Sequence, residues 1–90
     1  KAIVLVGILA SGFAFAQPPK AAMCAGCHGV DGISLVPNYP NLKGQKELYI
    51  YEQLKNFKSG ARQNPLMNNM AAGLTDDEMK ALAKYYSEMK

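Results

Sequence analysis

The amino-acid sequence predicts an all-α domain with about three principal helices and two long loops. Two segments of the 90-residue chain repeat apolar residues at the spacing of an α-helix, and the second starts with a helix-capping signature. The stretches between the helices are rich in Pro, Gly and Asn, which is typical of irregular connections. No convincing β-strand pattern flanks the two cysteines. Periodicity, capping and the missing strand pattern together favour the all-α class.

Residues 1–16 form an apolar leader that starts with one basic residue, Lys1. The leader ends in Ala-Phe-Ala at positions 14–16, which is typical of a secretory signal peptide with an A-x-A cleavage site. Its apolar run of 15 residues is short for a transmembrane helix, and an uncleaved short anchor is the alternative. The expected mature chain is a single domain of residues 17–90. Ten Lys and Arg, less Lys1, oppose seven Asp and Glu there, a net charge of +2.

The first predicted helix, Lys20 to Cys27, follows two prolines, which are tolerated near a helix start. The second predicted helix, Gln45 to Ser59, ends before Gly60, a suitable helix stop. Apolar residues recur along this helix at near-helical spacing. We expect this stripe to face the core; it consists of Leu48, Tyr51, Leu54 and Phe57.

Two long loops separate the predicted helices. The first loop, Ile33 to Lys43, lacks periodicity and contains Pro37 and Pro40. The second loop, Ala61 to Gly73, contains four residues that break helices, namely Asn64, Pro65, Asn68 and Asn69. Long loops in so small a domain are expected to wrap a cofactor.

The last predicted helix begins at Thr75. Thr75 and Glu78 have the spacing of a capping box, in which each side chain bonds a backbone N–H of the other residue. The helix also has one apolar face, which consists of Met79, Leu82, Ala83, Tyr86 and Met89. We expect this face to pack into the core.

Residues 24–28, Cys-Ala-Gly-Cys-His, form the C-x-x-C-H signature of covalent c-type haem attachment. The thiols of Cys24 and Cys27 can each add to one vinyl group of the porphyrin, and His28 is then the proximal iron ligand. A redox-active cysteine pair would need a βαβ context, and a structural zinc site would need four ligands. A plain disulfide would leave His28 unexplained. One covalent haem c is therefore the expected cofactor, and it supplies apolar bulk that so small a core lacks.

Five methionines are candidates for the distal iron ligand. Met79 and Met89 lie on the apolar face of the last helix, where filling the core is the expected role. Met23 is next to the haem motif, on the proximal side. Met67 and Met70 lie between the two long helices, where a thioether can reach the opposite face of the haem. Loop position alone does not choose between these two.

Together these motifs resemble a class I cytochrome c, especially the small bacterial monohaem group, and they are also similar to one half of the periplasmic two-haem cytochromes. The resemblance covers residues 20–90. It rests on residues 24–32, on Pro-Asn-Tyr-Pro-Asn-Leu-Lys-Gly-Gln (37–45), on the loop methionines and on the Thr-capped last helix. It implies the small class I cytochrome c fold, with helices and long loops wrapped around the haem. This chain departs from the family in its first helix, which is usually longer in family members. Only seven residues here separate the expected cleavage site from Cys24.

The resemblance also implies individual residue roles. The family's axial Met commonly lies seven residues before the apolar residue that precedes the last N-cap. Leu74 is that residue here, which implies Met67 as distal iron ligand, with Met70 as the alternative. The family also has a loop proline whose carbonyl accepts a hydrogen bond from the proximal imidazole. Pro40 matches that proline best and Pro37 is the fallback.

Charged side chains give weaker predictions. Arg62 could pair with a haem propionate, because a guanidinium binds carboxylates well, and a solvated loop arginine is the alternative. A group of lysines is expected to be solvated, and some of them could rim a docking surface. This group consists of Lys43, Lys46, Lys55 and Lys58.

The expected function is one-electron transport in the periplasm, the compartment that both export and haem attachment predict. Expected partners are redox proteins such as a terminal oxidase, a reductase or a dehydrogenase, and membrane contact is expected only through them or through an uncleaved leader. The domain is expected to be a monomer. No nucleic-acid motif is present, and no second His or free Cys remains for catalysis once haem is attached, so we expect no enzyme. The alternatives are an enzyme or gas sensor with a labile Met ligand, and a haem subunit or domain of a larger oxidoreductase.

Overall fold

A computed structural model describes residues 17–90, so the predicted leader at 1–16 lies outside the described residues. Within residues 17–90 the chain forms four helices and no strand, which confirms the all-α class. In chain order the helices are α1 (Ala21–His28), α2 (Glu47–Ser59), α3 (Pro65–Ala72) and α4 (Asp76–Ser87). None of these four helices has the length and apolar character needed to span a bilayer.

Helix α2 lies at the centre of the packing, because it contacts both α3 and α4. It ends at Gly60, which has the left-handed conformation predicted for a helix stop (φ 88°, ψ 1°). Its buried positions are Ile50, Leu54 and Phe57, spaced by four and three residues as on one helix face. The prediction for Leu48 was wrong, since its side chain is 65% exposed. At 100° per residue Leu48 lies roughly opposite this buried face.

The segment predicted as the second loop contains an additional helix, α3. Its residues that looked like helix breakers start the helix instead of preventing it. Asn64 is the N-cap, with its side-chain oxygen accepting a hydrogen bond from the Met67 N–H at 3.0 Å. Pro65 follows as the first helical residue, where its missing N–H costs nothing. Residues 17–90 thus contain four helices, where the sequence predicted about three.

Helix α4 begins as predicted, with both hydrogen bonds of the capping box formed. The Glu78 N–H donates to Thr75 Oγ1 at 3.1 Å, and the Thr75 N–H donates to Glu78 Oε1 at 2.9 Å. Four residues of its predicted apolar face are buried, namely Met79, Leu82, Ala83 and Tyr86, and Met89 packs against them. Filling the core is therefore the observed role of Met79.

Helix α1 is short and joins the core through few residues. Ala21 is fully buried, and Cys24 packs against the same cluster. The Lys20 ammonium lies 3.7 Å from the Glu78 carboxylate of α4. Gly29 ends α1 with a positive φ of 91°, so the chain turns directly after the C-x-x-C-H motif.

The loop between α1 and α2 is irregular, as its prolines predicted, and it closes on itself near its base. The Gly32 carbonyl accepts hydrogen bonds from the N–H groups of Leu42 and Lys43, at 2.8 and 3.0 Å. The Gly44 N–H donates to the carbonyl of Tyr86 in α4 at 2.9 Å. These bonds hold the loop, and Pro40 within it, beside α1 and α4.

Candidate functional site

One cavity of about 420 Å³ brings together the haem-attachment motif, both candidate distal methionines and two further predicted site residues. Its wall is formed by α1, the loop after α1, and one side of each of the other helices. The predicted residues that line it are Cys24, Cys27, His28, Pro40, Arg62, Met67 and Met70. A volume of this size is typical of a site for a cofactor or small molecule.

The rest of the wall is mainly apolar. It includes Leu42, Leu54, Phe57, Leu74, Leu82 and Tyr86. Leu48, which was predicted to share an apolar stripe with Leu54 and Phe57, does not line the cavity. Burial raises the pKa of the Tyr86 hydroxyl, so this side chain stays neutral at the wall.

His28 is a buried polar residue among the apolar walls of the site, with only 8% of its surface exposed. Its Nδ1 atom lies 2.8 Å from the carbonyl oxygen of Pro40. Because a carbonyl can only accept, Nδ1 carries the proton and donates it. In a neutral imidazole Nε2 then has a free lone pair, which is the form that binds a metal. The acceptor is Pro40, as the resemblance implied, and the fallback Pro37 does not make this bond.

Two free thiols accompany the imidazole on α1. Cys24 and Cys27 are three residues apart and both are partly buried, with no disulfide between them. The Cys24 Sγ lies 3.6 Å from the carbonyl oxygen of Lys20, and burial raises the pKa of this thiol. No three or more His, Cys, Asp or Glu side chains come together as a metal cluster anywhere in residues 17–90. The thiols therefore offer a covalent attachment point more readily than a zinc site.

The two candidate methionines lie on α3. Met67 and Met70 are three residues apart, so they share one side of this helix, and both line the cavity. Met67 also packs against the hydrophobic core. Met23, from α1, lines the cavity as well, and it remains partly exposed.

Arg62 lies at the cavity in a defined position. Its Nη1 donates to Gln53 Oε1 at 2.8 Å, and its guanidinium carbon lies 4.7 Å from the centre of the Phe57 ring. Its positive charge is therefore held by α2, and it is not directed at any carboxylate within residues 17–90.

Sequence reasoning missed three lining residues of α2, namely Tyr49, Ile50 and Gln53. A signal for two of them exists in the spacing, because Tyr49, Gln53 and Phe57 follow one another at intervals of four residues. The helix therefore presents a continuous row of side chains to the cavity. Gln53 is polar, so a pattern of apolar residues alone does not include it.

Comparison with known proteins identifies the family. The family model for cytochrome c matches residues 19–90. This chain belongs to the cytochrome c family. The match spans all four helices and the whole cavity, so the class I cytochrome c resemblance inferred from the motifs is confirmed.

Relatives of this cytochrome c domain include proteins of its own size and longer ones. Cytochrome c-554(548) of Halomonas halodenitrificans is 40% identical over 89% of this chain and 100% of its own length. The thiosulfate dehydrogenase electron acceptor of Thiomonas intermedia (strain K12) is 45% identical over 83% of this chain but only 35% of its own length. Among solved structures, cytochrome c4 of Acidithiobacillus ferrooxidans has a TM-score of 0.68 and 45% identity, covering 71% of this chain and 37% of that chain. The chain thus spans little more than a third of these longer relatives.

The residues present fit the cofactor of this family. Haem c needs two thiols at C-x-x-C spacing, an imidazole with a free nitrogen, and apolar walls. The cavity presents Cys24 and Cys27, a His28 ring whose Nδ1 is already bonded, and walls of Leu and Phe. The cytochrome c domain therefore has one covalent haem c as its cofactor.

Proposed function

We propose that this cytochrome c domain is a periplasmic one-electron carrier. Cys24 and Cys27 hold the haem through thioether bonds. His28 is the proximal iron ligand and Met67 the distal ligand, with Met70 as the alternative. Bound haem c supplies an iron that alternates between the ferric and ferrous states, taking up and releasing one electron.

The hydrogen bond between His28 and Pro40 is the single observation that carries this proposal. At 2.8 Å it fixes the orientation of the imidazole and directs the free Nε2 lone pair away from the loop. A hydrogen-bond acceptor at Nδ1 also makes the ring a stronger donor to a metal. Since Nδ1 already makes this bond and His28 lines the cavity, Nε2 is the ring nitrogen left to bind a metal there.

The apolar wall of the cavity has a second role. Leu54, Phe57 and Leu82 are buried and line the cavity, so they exclude water from it. A dry, apolar surrounding disfavours the more positively charged ferric state, which raises the reduction potential. A thioether ligand from Met67 favours ferrous iron in the same way.

Arg62 is proposed to meet a haem propionate at the rim of the cavity. Gln53 and the Phe57 ring hold its guanidinium there, so little side-chain entropy would be lost when it pairs with a carboxylate. This pairing would satisfy the negative charge that the porphyrin brings to the cavity.

Carbon monoxide binding tests the ligand set. In the reduced, haem-loaded protein the visible spectrum should not change on adding carbon monoxide, because Met67 occupies the sixth position. Met67→Ala should bind carbon monoxide, and Met70→Ala, the matched control on the same side of α3, should not. If only Met70→Ala binds carbon monoxide, the alternative ligand is correct. A clear shift in the unaltered protein would contradict the carrier and favour an enzyme or sensor with a labile Met.

The partners follow from the same proposal. A monomeric carrier would exchange electrons with redox proteins such as an oxidase, a reductase or a dehydrogenase. One relative is by its name an electron acceptor of a thiosulfate dehydrogenase, which is one example of such an exchange. Stopped-flow oxidation and reduction of the haem-loaded domain against purified enzymes of these classes would identify the partner. Rates independent of carrier concentration would contradict it.

A second candidate is a haem domain within a longer oxidoreductase or multihaem chain. It is favoured by the coverage, because the chain spans only 35% of one relative and 37% of one solved cytochrome c4. The apparent mass of the native protein, detected by antibodies to this domain, separates the two. A mass near that of residues 17–90 supports the free carrier, and a mass two or more times larger supports the haem domain.

A further inference from the structure

Two polar side chains form hydrogen bonds between the region of α3 and the end of α2. Neither side chain belongs to the haem motif or to the hydrophobic core. One of them, Asn68, belongs to α3 itself and lies next to Met67. The other, Lys58, belongs to the last turn of α2. Together they make four hydrogen bonds: Asn68 bonds Phe57 of α2 and Arg62 of the following loop, and Lys58 bonds Ala72 at the end of α3 and Leu74 just beyond it.

Asn68 holds the first half of α3 in place, and both its Nδ2 and its Oδ1 form hydrogen bonds. Its Nδ2 donates to the carbonyl oxygens of Phe57 and Arg62, at 2.8 and 2.9 Å. Its Oδ1 accepts from the Asn64 N–H at 2.8 Å. A carboxamide has two N–H donors, so no shorter or purely accepting side chain can replace these bonds.

Lys58 fastens the end of α3. Its ammonium donates to the carbonyl oxygens of Ala72 and Leu74, at 3.0 and 2.8 Å. Carbonyls at the end of a helix have no partner within the helix. A cation there also interacts favourably with the negative end of the helix dipole. Lys58 is exposed, as predicted for a solvated lysine, but its ammonium has this specific role in addition.

We propose that Asn68 and Lys58 are positioning residues for the distal methionine. By holding α3 against α2, they set how readily the methionine sulfur yields its place at the iron to another ligand. This inference rests on the proposed His and Met ligation. Met67 and Met70 both belong to α3, so any movement of α3 relative to α2 moves whichever of them is the ligand.

Imidazole titration of the ferric, haem-loaded protein tests this role. Asn68→Ala removes the bonds to Phe57 of α2 and to Arg62 of the loop after it. It should strengthen the apparent affinity for imidazole roughly tenfold, which is within the range expected for two ordinary hydrogen bonds. Asn69→Ala is the matched control, because this neighbouring asparagine is exposed and makes no side-chain bond to α2. An equal affinity in the two variants would overturn the inference.

Lys58→Met tests the same role independently, because it removes the hydrogen bonds at the other end of α3. It should strengthen imidazole binding several-fold, whereas Lys55→Met should not. Lys55 belongs to the same helix, but its ammonium lies over the Tyr51 ring at 5.0 Å and not at α3. Lys58→Met keeps the inference falsifiable should Asn68→Ala fail to fold.

A double variant separates positioning from a merely structural role. In a background that lacks the methionine ligand, which is Met67→Ala or, if carbon monoxide binding identifies Met70, Met70→Ala, no ligand sulfur remains to be displaced. Adding Asn68→Ala should then leave imidazole affinity unchanged. A tenfold effect that persists there would overturn the positioning role. Amide hydrogen exchange gives a second readout, since the α3 amides should exchange about tenfold faster in Asn68→Ala than in Asn69→Ala.

The same titration distinguishes failure of this inference from failure of the proposed ligand set. If the unaltered protein binds imidazole as tightly as Met67→Ala and Met70→Ala, no methionine holds the sixth position and both proposals fall. If the unaltered protein binds it more weakly than one of these variants, but Asn68→Ala and Lys58→Met leave it unchanged, only the positioning role falls.

Discussion

Gly29→Ala should be the most damaging single-methyl change near the haem motif. Gly29 follows His28 directly and has φ 91° and ψ 145°, a region that is essentially restricted to glycine. A Cβ atom there would lie 2.0 Å from the carbonyl oxygen of Ile33 and 2.7 Å from its carbonyl carbon. Both are backbone atoms, so no side-chain rotation can relieve the overlap.

The magnitude can be assembled from two contributions. The unfavourable backbone conformation costs about 1–3 kcal/mol for a residue with a Cβ. Moving the turn away from the overlap also breaks the hydrogen bond from the Gly32 N–H to the Gly29 carbonyl, 3.1 Å long, which is worth about 1 kcal/mol. We therefore expect a loss of about 3 kcal/mol in the free energy of unfolding. In a domain of this size that lowers Tm by roughly 12 °C or more.

Gly26→Ala is the matched control, three residues earlier in α1. A Cβ there would meet nothing within 4 Å, and the residue has ordinary helical geometry. Alanine in a helix interior is favoured over glycine by roughly 0.5–1 kcal/mol, so this variant should be slightly more stable than the parent.

Thermal and urea unfolding of the haem-loaded proteins, followed by far-ultraviolet circular dichroism, measure both variants. The expected order of stability is Gly26→Ala, then the parent, then Gly29→Ala. The reasoning is refuted if Gly29→Ala unfolds within about 0.5 kcal/mol of the parent, the scatter of ordinary surface substitutions. It is equally refuted if Gly26→Ala is as destabilised as Gly29→Ala, because the backbone at Gly29 would then not be the cause.

Two further predictions concern the helix ends. Thr75→Ala removes the hydroxyl that caps α4 and should lower the free energy of unfolding, measured in urea, by about 1 kcal/mol. Thr75→Ser keeps the hydroxyl and should stay near the parent. Equal losses in the two variants would contradict the capping role. Tyr51→Phe removes the hydrogen bond that is the main cause holding the pKa of Asp76 below its ordinary value of 3.8. The lowered pKa means that ionised Asp76 stabilises the fold above pH 3.8 and that this stabilisation is lost as the pH falls through the lower folded value. Tyr51→Phe should therefore raise the pKa of Asp76 in an NMR titration and reduce the acid-induced loss of stability, and an unchanged Asp76 titration would exclude the link.

Helix α3 shows where local sequence patterns lead to a wrong interpretation. Asn64, Pro65, Asn68 and Asn69 all disfavour a helix interior, and together they suggested a loop. In the structure Asn64 and Pro65 occupy the two positions where these residue types favour a helix start. The Asn68 side chain gains three hydrogen bonds, two of them with the more distant residues Phe57 and Arg62, and these offset its low helix propensity.

The candidate site was predictable to the extent that its chemistry is local. The C-x-x-C-H motif contains both thiols and the imidazole within five residues, so spacing alone indicates the cofactor. Pro40 could be inferred only through the family resemblance, because its contribution is a backbone carbonyl that any residue type could supply. The bonds of Lys58 were out of reach for the same reason, since both acceptors are carbonyls 14 and 16 residues away.

The uneven packing of the helices has a consequence for maturation. Helix α2 packs directly on α3 and α4, so these three can associate through contacts between near neighbours in the chain, which favours fast folding. Helix α1 buries little besides Ala21 and His28. Thioethers on α1 and a sulfur ligand from α3 would cross-link these two parts through the porphyrin. We therefore expect the cysteines to remain accessible to the attachment machinery until late, and the final step of assembly to be the closure of α1 onto a preformed three-helix unit.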